Sequence, residues 1–458
     1  MGVLPQCLSL IVICALILQV CSVDIDGSKV VSQLTELAKL SDDPNPAVTR
    51  VLYTPNDMHA RRFIKTLMTE AKLVVREDSV GNIFGRWAPA VDSASTVLTG
   101  SHCDAIPLAG MYDGTLGVVG GIAAIAALQA AGFVPETAIE VVMFTSEEPT
   151  RFGLSCIGSR AMVGTLEEET LSNKLDENGT SVLEAANSAG YAAASYEELL
   201  SGALLAPGYA SHFVELHIEQ GPYLEQEGID IGIVTAIAAP AALEVQFFGD
   251  GGHAGGQLMP LRNDAGLAGA ELSLALEAHV LGTGAPDTVG TCGTFEVKPG
   301  AVNSVPRYAR LGIDIRDTDG ERRDSVVAAV LNSAQEIGSK RKVRHTVRFL
   351  NQDPPATCHD DIISAVVAAS LESGVSTKHM VSRAYHDSLF MARVAPTGMI
   401  FIPCRNGWSH RPDEFSSEDA IAKGVKVLAL TLAKLAGGEF KPVSHTVPEA
   451  LSQQKTEL

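Results

Sequence analysis

Three apolar runs of strand length in this chain each lead into residues able to bind a metal, and that placement constrains the fold more than any other feature. Thr96–Gly100 leads into His102 and Asp104, Ala138–Thr145 into Glu147 and Glu148, and "HFVELHI" carries His217 near its end. Open α/β sheets hold ligands in the crevice outside the carboxyl ends of their strands, so the pattern predicts such a sheet with a site along one edge. Asp113, in a glycine-flanked turn, and His410, in the loop "CRNGWSHRPDE", complete a set of three His and two carboxylates. That set gives each of two metal ions two private ligands and one shared oxygen donor, a role that falls to Asp113.

Local spacing assigns roles within the set. His102 and Asp104 stand two residues apart, so on extended backbone they share a face, and Asp104 is expected to take the second imidazole N–H of His102. Glu147 and Glu148 face opposite ways on an extended segment, which leaves Glu148 to bind metal and Glu147 to reach the attacking water as general base. The stretch Gly114–Gly132 is small and apolar enough for a buried helix. Each residue alone has an ordinary reading: His217 as a satisfied core histidine, Asp113 as a turn residue, the Glu pair as surface charge. Their joint occurrence where strands end outweighs those readings. Cys156, in "GLSCIGS", is the one thiol that suggests a nucleophile, and it reads as a small buried residue.

With these residues in place, the chain from about Val30 to Gly438 resembles the dimetal amidohydrolases that include allantoate amidohydrolase, N-carbamoyl-amino-acid hydrolase and β-ureidopropionase, themselves related to the aminoacylase and carboxypeptidase metallopeptidases. The likeness is nearest to the plant-type ureidoglycolate branch, through "FTSEEPTRFGLSCIGSR", "LHIEQGP", "GGHAG", "YHDSLFMAR" and "FIPCRNGWSH". The resemblance implies His102 and His217 on one metal ion, Glu148 and His410 on the other, Asp113 bridging and Glu147 as base. It implies two divalent ions per subunit, Mn²⁺ or Zn²⁺, and a small anionic ureido substrate, with ureidoglycolate ahead of allantoate or an N-carbamoyl amino acid. An aminoacylase or dipeptidase, and a non-catalytic binding protein on the same fold, are the more distant readings.

Residues 234–350 read as a βαββαβ unit of ferredoxin-like type. This unit interrupts a larger α/β catalytic domain, residues 23–233 and 351–438, and 458 residues favour more than one core. In "GDGGHAGG" His253 sits among five glycines, where backbone can approach another surface closely. The resemblance implies that His253 reaches the active site of a partner subunit and polarises the scissile carbonyl, which makes the inserted unit a lid and dimerisation domain and the protein a homodimer. It further implies that Asn303 and Arg316 hold the substrate carboxylate and ureido group. Gln220 and His386 are additional pocket candidates, and Tyr385, where carbamoylases have glycine in a "GHDA"-like pattern, is expected with His386 to bond the substrate hydroxyl.

The net charge of −20 argues against nucleic acid as a partner and against general attraction of anions. Local cations must therefore draw the substrate: two divalent ions carry four positive charges, Asp113 and Glu148 cancel two, and Arg316 is expected to add one. Residues 1–22, with the apolar region Leu8–Ser22, read as a signal peptide despite lacking a basic residue ahead of it, because a bilayer span needs about 20 apolar residues. Residues 439–458 read as a polar flexible tail ending in "KTEL", one substitution from a retrieval signal, so the endoplasmic reticulum lumen is the expected location and no span is expected in the mature chain. Cys7, Cys14 and Cys21 leave with the leader, and the five remaining cysteines are too widely spaced to imply a disulfide framework. The sequon at Asn178 falls in a charged, loop-like stretch.

Overall fold

Strands buried on both faces are largely apolar on both faces, and two of the three metal-leading runs, with one later strand, have that character. Thr96–His102, Ala138–Phe144 and the later strand Thr397–Ile402 are buried at every residue. In the computed structural model, which describes residues 23–89 and 95–441, these strands join Ala210–Ile218 as the parallel centre of a nine-stranded sheet. The spatial order is Ala356–Thr357, Ile231–Ile237, Thr397–Ile402, Ala210–Ile218, Thr96–His102, Ala138–Phe144, Ile83–Trp87, Val74–Glu77, with Thr377–Ser382 paired in parallel to Ile231–Ile237 outside that order. The outer strands are antiparallel to their neighbours, so the sheet is mixed with a parallel core.

Helices cover both faces, as expected from the sequence. On one side Leu34, Ile64, Ile122, Ile362 and Val425, from five helices, pack against Val97, Val141, Val214 and Ile400. On the other, Met162 and Met391 meet the alternate strand residues Leu98, Val142 and Phe213. The helix Thr115–Ala130 is buried around most of its circumference because its backbone lies against the sheet. A Cβ at Gly117 would stand 2.5 Å from the carbonyl oxygen of Leu216, so only glycine allows this approach, which sets Asp113 over the strand ends.

The interrupting unit has its own core. Ala239–Phe248, helix Ala265–Gly282, Val289–Lys298, Tyr308–Asp317, helix Gly320–Arg341 and Arg344–Gln352 follow one another in the βαββαβ order. Its antiparallel sheet runs Val289–Lys298, Tyr308–Asp317, Ala239–Phe248, Arg344–Gln352, and the inward residues Leu243, Val245, Phe247, Leu311 and Ile313 pack on Leu272, Val327 and Val330 of the two helices.

Two boundaries differ from the sequence reading. Residue 234 lies inside Ile231–Ile237, which belongs to the large sheet, and the crossing to the smaller unit is at Ala238, between that strand and Ala239–Phe248. After Gly232 the run "IGIVTAIAAPAALEVQFF" holds no turn-forming residue other than Pro240, so one mostly apolar stretch serves two sheets and conceals the junction. At the other end, the start of the expected tail is ordered: Gly438–Phe440 pairs with Phe133–Pro135, and the Phe440 ring lies 5.0 Å from that of Phe133. The expected leader, residues 1–22, and "KTEL" lie outside the described residues. Cys103, Cys156, Cys292, Cys358 and Cys404 are free thiols, Cys156 fully buried. Among the described residues no helix is long and apolar enough to cross a membrane.

Candidate metal centre

All the expected ligands gather at the carboxyl ends of the parallel strands. His102 is the last residue of its strand and His217 the penultimate residue of its own, while Glu148 and His410 lie on the loops after Ala138–Phe144 and Thr397–Ile402. Asp113 stands just before helix Thr115–Ala130. The expected ligands form two clusters with ligand atoms within 4.8 Å of one another: His102, Asp113 and His217, and Asp113, Glu148 and His410. Asp113 belongs to both: its Oδ1 is 3.6 Å from His102 Nε2 and 3.2 Å from His217 Nε2, and its Oδ2 is 3.3 Å from His410 Nε2. Glu148 Oε1 completes the second cluster at 3.3 Å from His410 Nε2. Glu147 lies alongside, its Oε2 3.9 Å from His102 Nε2.

The imidazoles are aimed by their backbones. Nδ1 of His102 contacts the Asp104 carbonyl at 3.1 Å and Nδ1 of His217 the Ile218 carbonyl at 2.9 Å. A carbonyl only accepts, so each neutral ring carries its proton on Nδ1 and turns the Nε2 lone pair toward Asp113. Gly114, at φ +66°, closes the floor: a Cβ there would stand 2.3 Å from His102 Nε2. Imidazole and carboxylate donors in two clusters with a shared oxygen ligand fit a pair of divalent ions.

Electrostatics support that fit. Burial opposes a charge on His102, but Asp104 and Asp113 outweigh it and hold its pKa well above the usual histidine value. Asp113 and Glu148 push His410 up to about 11. Burial would raise Asp113, yet the imidazoles of His102, His217 and His410 keep it well below the carboxylate range. The site is thus built to be neutralised by positive charge. Burial, with Glu148 nearby, pushes Glu147 up.

The surrounding residues depart from the sequence reading in several places. The Asp104 carboxylate is 3.5 Å from His102 Nδ1, and its close partners are the N–H groups of Glu147 and Glu148, at 3.1 and 2.9 Å. Nor does strand alternation separate the Glu pair: they lie beyond the strand end, after Ser146 at φ 55°, which turns the chain out of the sheet. Glu414 was not foreseen. Its Oε1 accepts from the N–H groups of Tyr112 and Asp113 at 2.8 and 3.0 Å, and burial, with Asp113 close by, raises its pKa to about 7. Ser409 Oγ lies 2.6 Å from Asp113 Oδ2 and 2.9 Å from Glu414 Oε2, linking the two loops. The only sequence hint was the position of Glu414 four residues after His410.

A cleft of about 490 Å³ opens over the clusters. Gln220, at φ 56°, lines it and donates to Asp113 Oδ2 at 2.8 Å. Arg316 and Tyr385 line it too. Asp314 binds Arg316, with Nε 2.7 Å from Oδ1, and so cancels the positive charge that the sequence reading credited to Arg316. The Tyr385 hydroxyl donates to Asp353 at 2.6 Å and accepts from Arg160 at 2.7 Å, so its proton is already committed. Arg160, on the cleft wall, pairs with Asp353 at 2.6 Å, and Arg393 pairs with the same carboxylate at 3.0 Å, a network the sequence did not reveal. His386 does not line the cleft: it is 2% exposed, lies behind His217 with ring centroids 4.8 Å apart, and meets Ser382 Oγ at 2.8 Å. His253 and Asn303 are not cleft residues of their own chain either. Both are exposed on the smaller unit, where Ala254 N–H donates to the Asn303 carbonyl at 2.9 Å.

Residues 98–434 match the model of peptidase family M20/M25/M40. The chain belongs to this family. Ureidoglycolate hydrolase of Arabidopsis thaliana is 54% identical over 417 residues, 90% of this chain and 87% of that protein. N-carbamoyl-L-amino acid amidohydrolase of Geobacillus stearothermophilus is 37% identical, over 91% of this chain and its own full length. The crystal structure of AtUAH in complex with (S)-hydroxyglycine matches with a TM-score of 0.83 at 53% identity, over 90% of this chain and 98% of that one. M20-family enzymes are metal-dependent hydrolases, and the paired clusters on Asp113 suit that chemistry.

Proposed function

We propose that this M20-family enzyme hydrolyses ureidoglycolate, releasing ammonia and carbon dioxide and leaving glyoxylate. The observation that carries the reading is the pair of clusters sharing Asp113, with Glu147 beside them and outside both. The choice of substrate is supported by 54% and 53% identity to the ureidoglycolate hydrolases of Arabidopsis thaliana and Oryza sativa, against 37% for the carbamoylase.

In this reading His102 and His217 would hold one divalent ion and Glu148 and His410 the other, with Asp113 a donor to both; imidazole and carboxylate donors suit Mn²⁺, the expected ion, and Zn²⁺ alike. Such a pair supplies Lewis-acid polarisation and water acidic enough to attack at neutral pH. Glu147 accepts the proton of the attacking water and returns it to the departing nitrogen, so the C–N bond breaks with release of ammonia. The carbamate left behind loses carbon dioxide, and the resulting hydroxyglycine loses its amine to give glyoxylate. Arg316 takes the substrate carboxylate, Gln220 and the Asn303 of a second subunit the ureido group, and the Tyr385 ring narrows the cleft.

His253 enters from a second subunit and stabilises the oxyanion, a contribution of about 3 kcal/mol. Exposure of His253 and Asn303 away from their own cleft supports a homodimer in which the smaller unit serves as lid and dimerisation surface. The leader-like residues 1–22 and the terminal "KTEL" support residence in the endoplasmic reticulum lumen. Assaying ureidoglycolate, allantoate and N-carbamoyl amino acids with added Mn²⁺ for ammonia and glyoxylate tests the substrate. Ureidoglycolate is expected to give the highest kcat/KM, and a higher value for allantoate would overturn the choice.

A further inference from the structure

Asp314 and Arg316 stand two residues apart on strand Tyr308–Asp317, so both side chains leave the sheet on one face, the face that lines the cleft. Arg316 Nε donates to Asp314 Oδ1 at 2.7 Å and Nη2 to Oδ2 at 3.3 Å, while Nη1 donates to the carbonyl of Arg383 at 3.1 Å. That carbonyl is itself anchored, because the Arg383 guanidinium pairs with Asp287. A guanidinium has five N–H donors, and three are engaged. The two left over sit one on each terminal nitrogen, the end of the fork that matches a carboxylate bidentately. Across the sheet Asp314 faces Ala242 and Thr291, neither of them charged, and among the described residues Arg316 is its one ion-pair partner.

We propose that Asp314 is a positioning residue for substrate capture: by occupying the side edge of the Arg316 guanidinium it presents the end edge to the substrate carboxylate. The proposal rests on the reading that Arg316 takes that carboxylate. Without Asp314 a long side chain about a third exposed would sample other rotamers, and its fork would meet the substrate in few of them. A plain counter-charge makes the opposite prediction. If Asp314 acted only through its negative charge it would repel an anionic substrate, and its removal would tighten binding.

The sign of the KM change therefore decides. Asp314→Ala and Asp314→Asn, each alone and combined with Arg316→Ala, are assayed as metal-loaded protein with ureidoglycolate. Asp314→Ala is expected to raise KM about tenfold with kcat within about twofold, as for a lost charge-assisted contact made equally in ground and transition states. Asp314→Asn, which keeps the shape and one acceptor oxygen, is expected to raise KM less; it carries the comparison should the alanine variant fail to fold. Neither change is expected to raise KM further in the Arg316→Ala background. An unchanged or lower KM in both Asp314 variants, with Arg316→Ala raising it, would overturn the positioning role alone. Additive effects in the double variants would also overturn it, because the influence would then not run through Arg316. An unchanged KM in Arg316→Ala would instead overturn the underlying carboxylate reading.

Discussion

The carboxylate of Asp104 accepts the backbone N–H groups of both Glu147 and Glu148, at 3.1 and 2.9 Å, and so ties the end of one parallel strand to the loop that follows the next. The position of the Glu pair is thereby set from the connection after the neighbouring strand and not only by the strand that precedes it, which ends at Phe144. Asp104 is 3% exposed, so this tie is shielded from water.

Replacing Asp104 with Ala leaves two buried N–H groups without an acceptor, and the expected cost is about 3 kcal/mol of folding stability with a fall in kcat. Asp104→Asn retains one acceptor but turns an NH₂ group toward a second donor, so it is expected to lose about 2 kcal/mol. Denaturant unfolding measures both; stability within about 0.5 kcal/mol of the parent would mean that the tie carries little.

Gly114→Ala is expected to lower metal affinity at least about tenfold, because its Cβ would lie 2.3 Å from His102 Nε2. Left-handed strain alone is controlled by Gly179→Ala, at φ +80° with no atom within 4 Å of the added Cβ. Metal content after dialysis separates the two: equal retention in both variants would remove the steric argument.

Metal loading should release protons. In the metal-free fold burial opposes protonation of His102 and His217, yet their carboxylate neighbours raise both pKa values, and His410 is raised to about 11, so His410 is protonated at neutral pH. A ligating imidazole must be neutral, so affinity is expected to rise with pH and fall as the solution is acidified. Calorimetric titration of Mn²⁺ in two buffers of different ionisation enthalpy counts the protons; an identical heat in both would contradict the assignment.

If His253 acts across a dimer, mixing inactive His253→Ala chains with inactive Glu147→Gln chains should restore part of the activity, since one hybrid site regains both groups. Background activity in mixed dimers verified by mass would place His253 outside the partner's site.

The parallel core and the metal clusters were legible because their signals are local. A buried parallel strand is a continuous apolar run, and a ligand at its end is the next chemically distinctive residue, as with His102 after Thr96–Ser101. What stayed hidden depends on contacts between distant segments. Glu414 reaches Asp113 across 301 positions, and the partners of Asp353 lie on two other segments, Arg160 on one and Tyr385 and Arg393 on the other. The left-handed turn at Ser146 leaves no glycine to announce it, and the crossing at Ala238 lies in an unbroken apolar run. His386 was misplaced for a related reason: a histidine beside a cleft-lining tyrosine gives no sign in sequence of whether it faces the cleft or the back of His217.

In the proposed mechanism Glu147 moves the proton while Asp113, Glu148 and the three histidines hold the ions. Metal content and turnover of Glu147→Gln separate the two roles. Two divalent ions per subunit with kcat reduced at least about a thousandfold is the predicted result. Loss of an ion from this variant, or turnover near that of the parent, would contradict the division of labour between the two glutamates.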